Sequence, residues 1–366
     1  MIDYDFNKRY RTNKKVARTG LKNLGDTSYL NAVMQCLGNI YDLAEFFLNP
    51  NNAIKINSDI NKYTLSFPIG RLYAHLYPYP EKEEREIYTS ENILKILSTM
   101  GNYKDCKRRV PNDLIIFVLE KLQKELNEKQ SDNYDENKKN INNNNGSEIM
   151  EEFINNYKKQ NNDVISNNFN CFILKETFCK KCNNKIYKPQ SFNIYDLNIK
   201  NCYEKYKNDI LSIKDCLNFL SQKKSINFFC SKCNQKTDFD SLEKIYSSPK
   251  IFVLILDRED FNENLMKINF KIEETIDLSD FIEDKNSHKI YKLIGIVSIS
   301  LREKKYLGFS KSPIDDEWYL YNDENVKKIN IDFVEKSHGQ FNFYVPYILF
   351  YESPDNIIKI NSPFYF

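Results

Sequence analysis

Histidine is the scarcest reactive group in this chain: 366 residues hold three, His75, His288 and His338. Every mechanism that needs an imidazole is confined to those positions. Glycine is also scarce, at nine residues, and no internal repeat is present. No run approaches the ~20 continuous apolar residues of a membrane helix, and the first residues lack the apolar core of a secretory signal. The expectation is a soluble intracellular protein, cytoplasmic or nuclear, with no membrane partner. Neither sign of charge dominates, since 53 basic and 51 acidic side chains leave +2, so no global field draws the chain onto nucleic acid or anionic lipid. What is present is 41% hydrophobic residues, enough for one large domain with insertions or two ordinary ones. Nine cysteines is an odd number, and four form two Cys-x-x-Cys pairs. That pattern suits metal-bound thiolates in a reducing compartment better than a disulfide framework.

Residues 1–18 are polar, carry Lys8, Arg9, Arg11, Lys14, Lys15 and Arg18, and show no periodicity. They read as a flexible basic arm that orders on contact and could reach an acidic protein or RNA, the alternative being a solvated tail. From Asp26 the positions Tyr29, Leu30, Ala32, Val33, Cys36 and Leu37 recur at helical spacing, with Asp26, Thr27 and Ser28 suited to capping. A helix is therefore expected to start beside Ser28. A second amphipathic helix follows Pro111, Asn112 and Asp113 through Leu114, Phe117, Val118, Leu122 and Leu126. Residues 128–149 are Asn-rich and nearly free of aliphatics, which predicts a disordered insertion. Beyond it, β-like runs fall at 192–197, 251–256, 289–300, 306–310, 318–321 and 343–351. A helical first third and a mostly antiparallel second half predict an α+β fold.

Residues 20–37 read Gly-Leu-Lys-Asn-Leu-Gly-Asp-Thr-Ser-Tyr-Leu-Asn-Ala-Val-Met-Gln-Cys-Leu. This run closely resembles the nucleophile box of the ubiquitin-specific protease family. In that family a cysteine heads the helix, where the dipole and a facing histidine favour its thiolate. Here the position holds Ser28. A thiol can be tuned to ionise near neutrality, whereas a hydroxyl stays protonated unless a base takes its proton during attack. The family's oxyanion-stabilising asparagine matches Asn23, whose alternative role is that of a turn residue ahead of the helix.

The resemblance places the general base in a Gly-His-Tyr strand before a Trp-Tyr-x-Phe-Asp-Asp strand. The second strand matches residues 318–326, with Asn322 at the position that orients the histidine, followed by Asp323. Reading back, Lys304 and Lys305 stand where the family has glycine and histidine. His288 begins the preceding strand, His75 belongs to the N-terminal lobe, and His338 falls in a polar stretch that reads as a surface loop. A Ser28–Lys305 dyad would need a neutral lysine buried away from carboxylates, and Glu303, Lys304 and Lys311 suggest a wet, charged surface instead.

Cys179-Lys-Lys-Cys182 and Cys230-Ser-Lys-Cys233 are separated by 47 residues. Two such knuckles at hairpin tips can place four thiolates around Zn²⁺, as a structural ion. They also resemble the zinc-binding fingers of the same family, whose surrounding strands hold the body of ubiquitin. The remaining cysteines, Cys36, Cys106, Cys171, Cys202 and Cys216, read as small core residues. Residues 111–117 resemble the family's Gln-Gln-Asp-Ala-x-Glu-Phe helix start, which receives the basic tail of ubiquitin. Asp113 is kept, but Ile116 replaces the glutamate, and isoleucine offers arginine no charge-assisted bond. Further matches at Lys244, Ile245, Pro249, 251–258 and 347–351 extend the resemblance.

The resemblance thus implies a papain-like ubiquitin-specific protease domain over 19–352. Its helical thumb would span about 19–165, zinc-tipped fingers about 170–245 and an antiparallel β palm about 246–352, with a tail at 353–366. With Ser28 and Lys305 both departing from the motif, the expectation is a catalytically inactive binding or scaffold protein whose partners are ubiquitin or the subunits of an assembly. The alternatives are an active deubiquitinase in which Ser28 is an introduced replacement for cysteine, a Ser–Lys hydrolase, and a splicing or RNA-processing scaffold.

Overall fold

A computed structural model describes residues 18–77, 87–100, 110–127, 145–258, 266–338 and 343–354. The basic arm up to residue 17, Cys106 and the end of the C-terminal tail lie outside the described residues. Arg18, counted with the arm, is instead fixed on the palm: its guanidinium pairs with Asp315 at 2.8 Å and lies over the Tyr319 ring.

The described helices are α1 (Ser28–Gly38), α2 (Tyr41–Leu48), α3 (Pro50–Ser58), α4 (Ser66–Leu76), α5 (Glu91–Thr99), α6 (Pro111–Leu126), α7 (Gly146–Gln160), α8 (Val164–Phe169), α9 (Ile199–Tyr206), α10 (Ile213–Leu220) and α11 (Ile331–His338). The strands are β1 (Cys171–Cys179), β2 (Lys185–Phe192), β3 (Tyr195–Asp196), β4 (Ile210–Leu211), β5 (Lys224–Cys230), β6 (Gln235–Ser247), β7 (Ile251–Ile255), β8 (Asn269–Phe270), β9 (Thr275–Asp277), β10 (Ile290–Ser300), β11 (Lys305–Lys311), β12 (Trp318–Asn322), β13 (Asn325–Ile329) and β14 (Tyr344–Glu352). Among the described residues no helix is long and apolar enough to cross a membrane.

Two sheets organise the molecule. An antiparallel sheet ordered β2-β1-β6-β5 forms a long projection, and an eight-stranded sheet ordered β13-β12-β11-β10-β14-β7-β3, with β9 beside β10, forms the body. α1 is buried all round because it sits between that body and the first helices. It reaches the sheet at Gly308, where an added Cβ would come within 3.1 Å of the Ala32 carbonyl oxygen. Tyr73 and Tyr77 donate their hydroxyls to the carbonyls of Leu37 and Gly38 at its last turn, which satisfies acceptors that a helix end leaves open. α6 is anchored by Glu125, a buried carboxylate that accepts from Thr64, Leu65 and Ser66 at the head of α4.

Three expectations change. Residues 146–149 belong to α7, because Gly146 and Met150 pack against Leu174 of the projecting sheet and that contact orders the end of the Asn-rich stretch. The run 192–197 is broken between β2 and β3 rather than one strand. The third concerns His338, at the end of α11 and 1% exposed. Sequence alone placed it in a surface loop, since the polar residues beside it conceal that one helical face is buried.

Candidate active site

The chain enters α1 through a turn in which Gly25 and Asp26 take positive φ, 89° and 51°. The Asn23 side-chain oxygen accepts from the Gly25 N–H at 2.9 Å and from the Thr27 hydroxyl, while the Leu24 N–H donates to Thr27 Oγ1. This local mesh fixes Ser28 as the first helical residue. Ser28 is buried, and its Oγ accepts one hydrogen bond among the described residues, from the Tyr306 backbone N–H at 3.2 Å. The fold therefore sets the head of α1 against the Lys305–Tyr306 peptide.

The Lys305 ammonium faces carboxylates rather than the serine. It lies 3.5 Å from Asp323 and 3.4 Å from Glu303. Asp323 is 5% exposed at the β12–β13 turn, with φ 52°. Its two oxygens also accept from the side-chain amides of Asn31 and Asn23, each at 2.9 Å. The Asn23 carboxamide is thus spent on its own turn and on Asp323, and its backbone N–H goes to Glu324 at 2.8 Å. Asn322 sits to one side, donating to Glu303 at 3.3 Å. Lys305, Asp323, Asn23 and Asn31 form one charge-assisted network, and an ammonium within it has no lone pair with which to take a proton from Ser28.

No histidine bonds to Ser28 among the described residues. His338 accepts or shares a hydrogen with Ser298 through Nε2 at 2.7 Å, and its Nδ1 bonds the Val334 carbonyl oxygen. It packs on Phe309, whose side chain points to the sheet face opposite the one Gly308 presents to α1. Burial pushes the His338 pKa down to about 4, only partly opposed by the Val334 bond. His75 stacks near Tyr88 in the helical lobe, and His288 precedes β10.

A separate cleft of about 390 Å³ lies between α6 and the ends of β2 and β7. Asp113, Ile116 and Glu120 share the α6 face that lines it, because their spacing of three and four residues is that of one helical stripe. Asp196 and Asp257 line the opposite wall, and among the described residues no basic one lines it. Burial raises the Asp196 pKa, with the Asn198 N–H opposing and Asp257 adding to the rise. Three lining carboxamides hold a buried polar atom with no partner among the described residues: Oδ1 of Asn112, Nδ2 of Asn170 and Oδ1 of Asn193. Of these residues, sequence reading had found Asp113 and Ile116. Helical spacing could have given Glu120, whereas Asp196 lies in β3 and Asp257 just beyond β7, and neither carries a local signal.

At the far end of the projecting sheet, Cys179, Cys182, Cys230 and Cys233 bring their sulfurs within 4.8 Å of one another. Cys179 and Cys233 are 3.8 Å apart, Cys182 and Cys230 3.6 Å. A tetrahedron with ~2.3 Å metal–sulfur bonds has edges of ~3.8 Å, so the four sulfurs fit such an ion. Each knuckle turns on an asparagine with positive φ, Asn183 at 53° and Asn234 at 51°. Cys36, Cys171, Cys202 and Cys216 are buried.

The sequence model of the ubiquitin carboxyl-terminal hydrolases matches residues 19–351. The chain is a member of the ubiquitin carboxyl-terminal hydrolase family. Human ubiquitin carboxyl-terminal hydrolase 21 is 22% identical over 91% of this chain and 61% of its own length. Bovine ubiquitin carboxyl-terminal hydrolase 2 is also 22% identical, over 91% of this chain and 54% of its own. This family member therefore spans little more than half the length of those relatives. Among solved structures, a yeast SAGA DUBm with a mutant Sgf73 superposes with a TM-score of 0.60 at 19% identity, covering 93% of this chain and 70% of the other. A SAGA Ubp8/Sgf11/Sus1/Sgf73 DUB module bound to ubiquitin aldehyde gives 0.60 at 17% identity, over 93% and 70%. The hydrolase fold, with thumb, palm and fingers, is thus present, and within it this family member carries serine at the head of α1.

Proposed function

We propose that this chain is a member of the ubiquitin carboxyl-terminal hydrolase family that grips without cutting, serving as a binding or scaffold subunit. One observation carries the reading: the Ser28 hydroxyl receives a hydrogen bond from the Tyr306 N–H, while the side chain at the base position, Lys305, is paired with Asp323 and Glu303. A serine nucleophile needs an acceptor for its proton, and this arrangement offers none. The acidic cleft keeps the chemistry to receive a basic extended segment, with the tail of ubiquitin as its ligand and Glu120, Asp196 and Asp257 taking up charge that Ile116 cannot. The four-cysteine fingertip would hold Zn²⁺ as a structural ion that closes the two hairpins. Docking into a larger assembly is the second part of the proposal, in line with the multi-subunit modules whose fold this chain shares. RNA as a target of the basic arm finds no support in the fold or in the relatives.

The test is reaction with a ubiquitin probe carrying a C-terminal electrophile, together with titration of unmodified ubiquitin. Saturable binding with no covalent labelling of the natural chain or of Ser28→Cys is expected, and labelling should emerge only when Ser28→Cys is combined with Lys305→His. Rapid labelling of Ser28→Cys alone would overturn the assignment of Lys305. Turnover by the natural chain, lost in Lys305→Ala, would establish the serine–lysine dyad instead.

A further inference from the structure

β5 is the outer strand of the finger sheet, and among the described residues it pairs on one side only, with β6. Six of its seven residues are exposed, including Ile226 at 38%, Phe228 at 48% and Phe229 at 50%. Its register with β6 runs without a shift from Lys224 to Cys230. Edge strands are ordinarily protected by inward charges, proline, a bulge or a covering segment. β5 has no proline, no bulge and no charge beyond Lys224 at its start, so a long flat edge with large apolar side chains stands open. Strand alternation sends Ile226 and Phe228 to the face shared with Phe239, where Phe228 meets the Phe239 ring edge-on, and Phe229 to the other face, opposite Lys236.

Lysine dominates the charge around β5. Residues 222–237 hold Lys223, Lys224, Lys232 and Lys236, all exposed, and no carboxylate. On β6, Asp240 stands opposite Ser225 and is paired with Lys180, and Asp238 stands opposite Asn227, whose amide it accepts from while keeping its charge, so the lysines outnumber the acids beside β5.

We propose that the open edge of β5 is a docking site for an extended acidic segment of a partner protein, which adds to the finger sheet as a fifth strand. Main-chain bonds to β5 supply the pairing, apolar side chains on one face of the added strand cover Ile226 and Phe228, and carboxylates on its other face meet the lysines around β5. A second copy of this chain fits poorly, because edge-to-edge pairing would set lysines against lysines. Single-stranded nucleic acid fits poorly too, since successive bases stack on aromatics that share a face, and Phe228 and Phe229 point to opposite faces. The site lies apart from Ser28 and shares no lining residue with the acidic cleft.

The experiment titrates the full chain with three fluorescent peptides: alternating glutamate and valine, alternating lysine and valine, and the glutamate peptide N-methylated at every second residue. The glutamate peptide should bind, with salt-dependent affinity, and should protect β5 amides from exchange. N-methylation, and the double substitution Phe228→Ser with Phe229→Ser, should each weaken it by about tenfold or more. Both phenylalanines are exposed, so fold is checked by zinc content, and Lys223→Glu with Lys232→Glu provides a second variant that must also weaken binding. Equal binding of the methylated or the lysine peptide would overturn the proposal. So would a dimer in sedimentation that the phenylalanine substitutions dissolve, or oligouridylate binding that those substitutions abolish.

Discussion

The fingertip and the head of α1 are built with similar local devices, tight turns whose left-handed residues present reactive side chains at close range. At the fingertip all four thiols converge. At the head of α1 the turn, the helix and the Asn23 mesh persist around a hydroxyl. The difference follows from what each group does for the fold. Four thiolates sharing a metal would tie the two knuckles together, so losing one would loosen that lobe, whereas a hydroxyl at the head of α1 contributes one side chain's worth of packing. Lys305, for its part, forms an ion pair with Asp323 that ties β11 to the β12–β13 turn.

The sharpest way to break this contrast is to attack the fingertip. Cys230→Ser, or chelation of the natural chain, should empty the metal centre. Apparent zinc binding of ~10 kcal/mol is typical of such sites, so elemental analysis should fall from one zinc per chain to none and protease should cut within β5 and β6. A variant that stays zinc-free yet equally resistant would show that the cysteines pack without a metal. Next in size is Asp323→Asn, which puts an amide where Asn23, Asn31 and Lys305 all donate. Its cost should be ~2–4 kcal/mol in denaturant unfolding. A loss below about 1 kcal/mol would show that the network is ornamental to the fold.

A smaller effect separates the two faces of the body sheet. His338 stays neutral in the fold until pH falls to about 4, while an unfolded imidazole protonates near 6.5. Its folded pKa is depressed, so its stability contribution is complete above pH 6.5 and drains away as pH falls through 4, by at most ~3 kcal/mol. Thermal midpoints of His338→Gln should therefore decline less steeply than those of the natural chain between pH 6.5 and 4. Parallel curves would show that His338 is not the group that titrates.

How far the sequence could be read depended on whether a feature is local. The motif at 20–37, the spacing of the cysteine pairs and the strand at 318–322 lie in continuous runs, and each appears where it was expected. His338 was misplaced because burial of one helical face is invisible in a short polar stretch. Glu120, Asp196 and Asp257 were missed because a cleft wall assembled from α6, β3 and the end of β7 has no signature in any one of them. The partners of Lys305 were half-legible: Glu303 was close in sequence, and Asp323 became its neighbour only through strand pairing.

The mildest prediction makes the comparison symmetrical, because oxygen and sulfur can be exchanged in opposite directions at the two sites. Ser28→Cys keeps a weak acceptor for the Tyr306 N–H in a pocket where the serine is already buried. The added bulk of sulfur and the weaker bond should cost ~1 kcal/mol or less. Ser28→Ala removes the acceptor altogether and should cost slightly more, ~1–2 kcal/mol, as a buried N–H goes unpaired. Both should leave zinc content unchanged, since the fingertip cluster packs apart from α1. Urea unfolding with a zinc reading on the same samples measures the pair. If Ser28→Cys proved more damaging than Cys230→Ser, the head of α1, and not the metal site, would be the part of this chain held by the demands of folding.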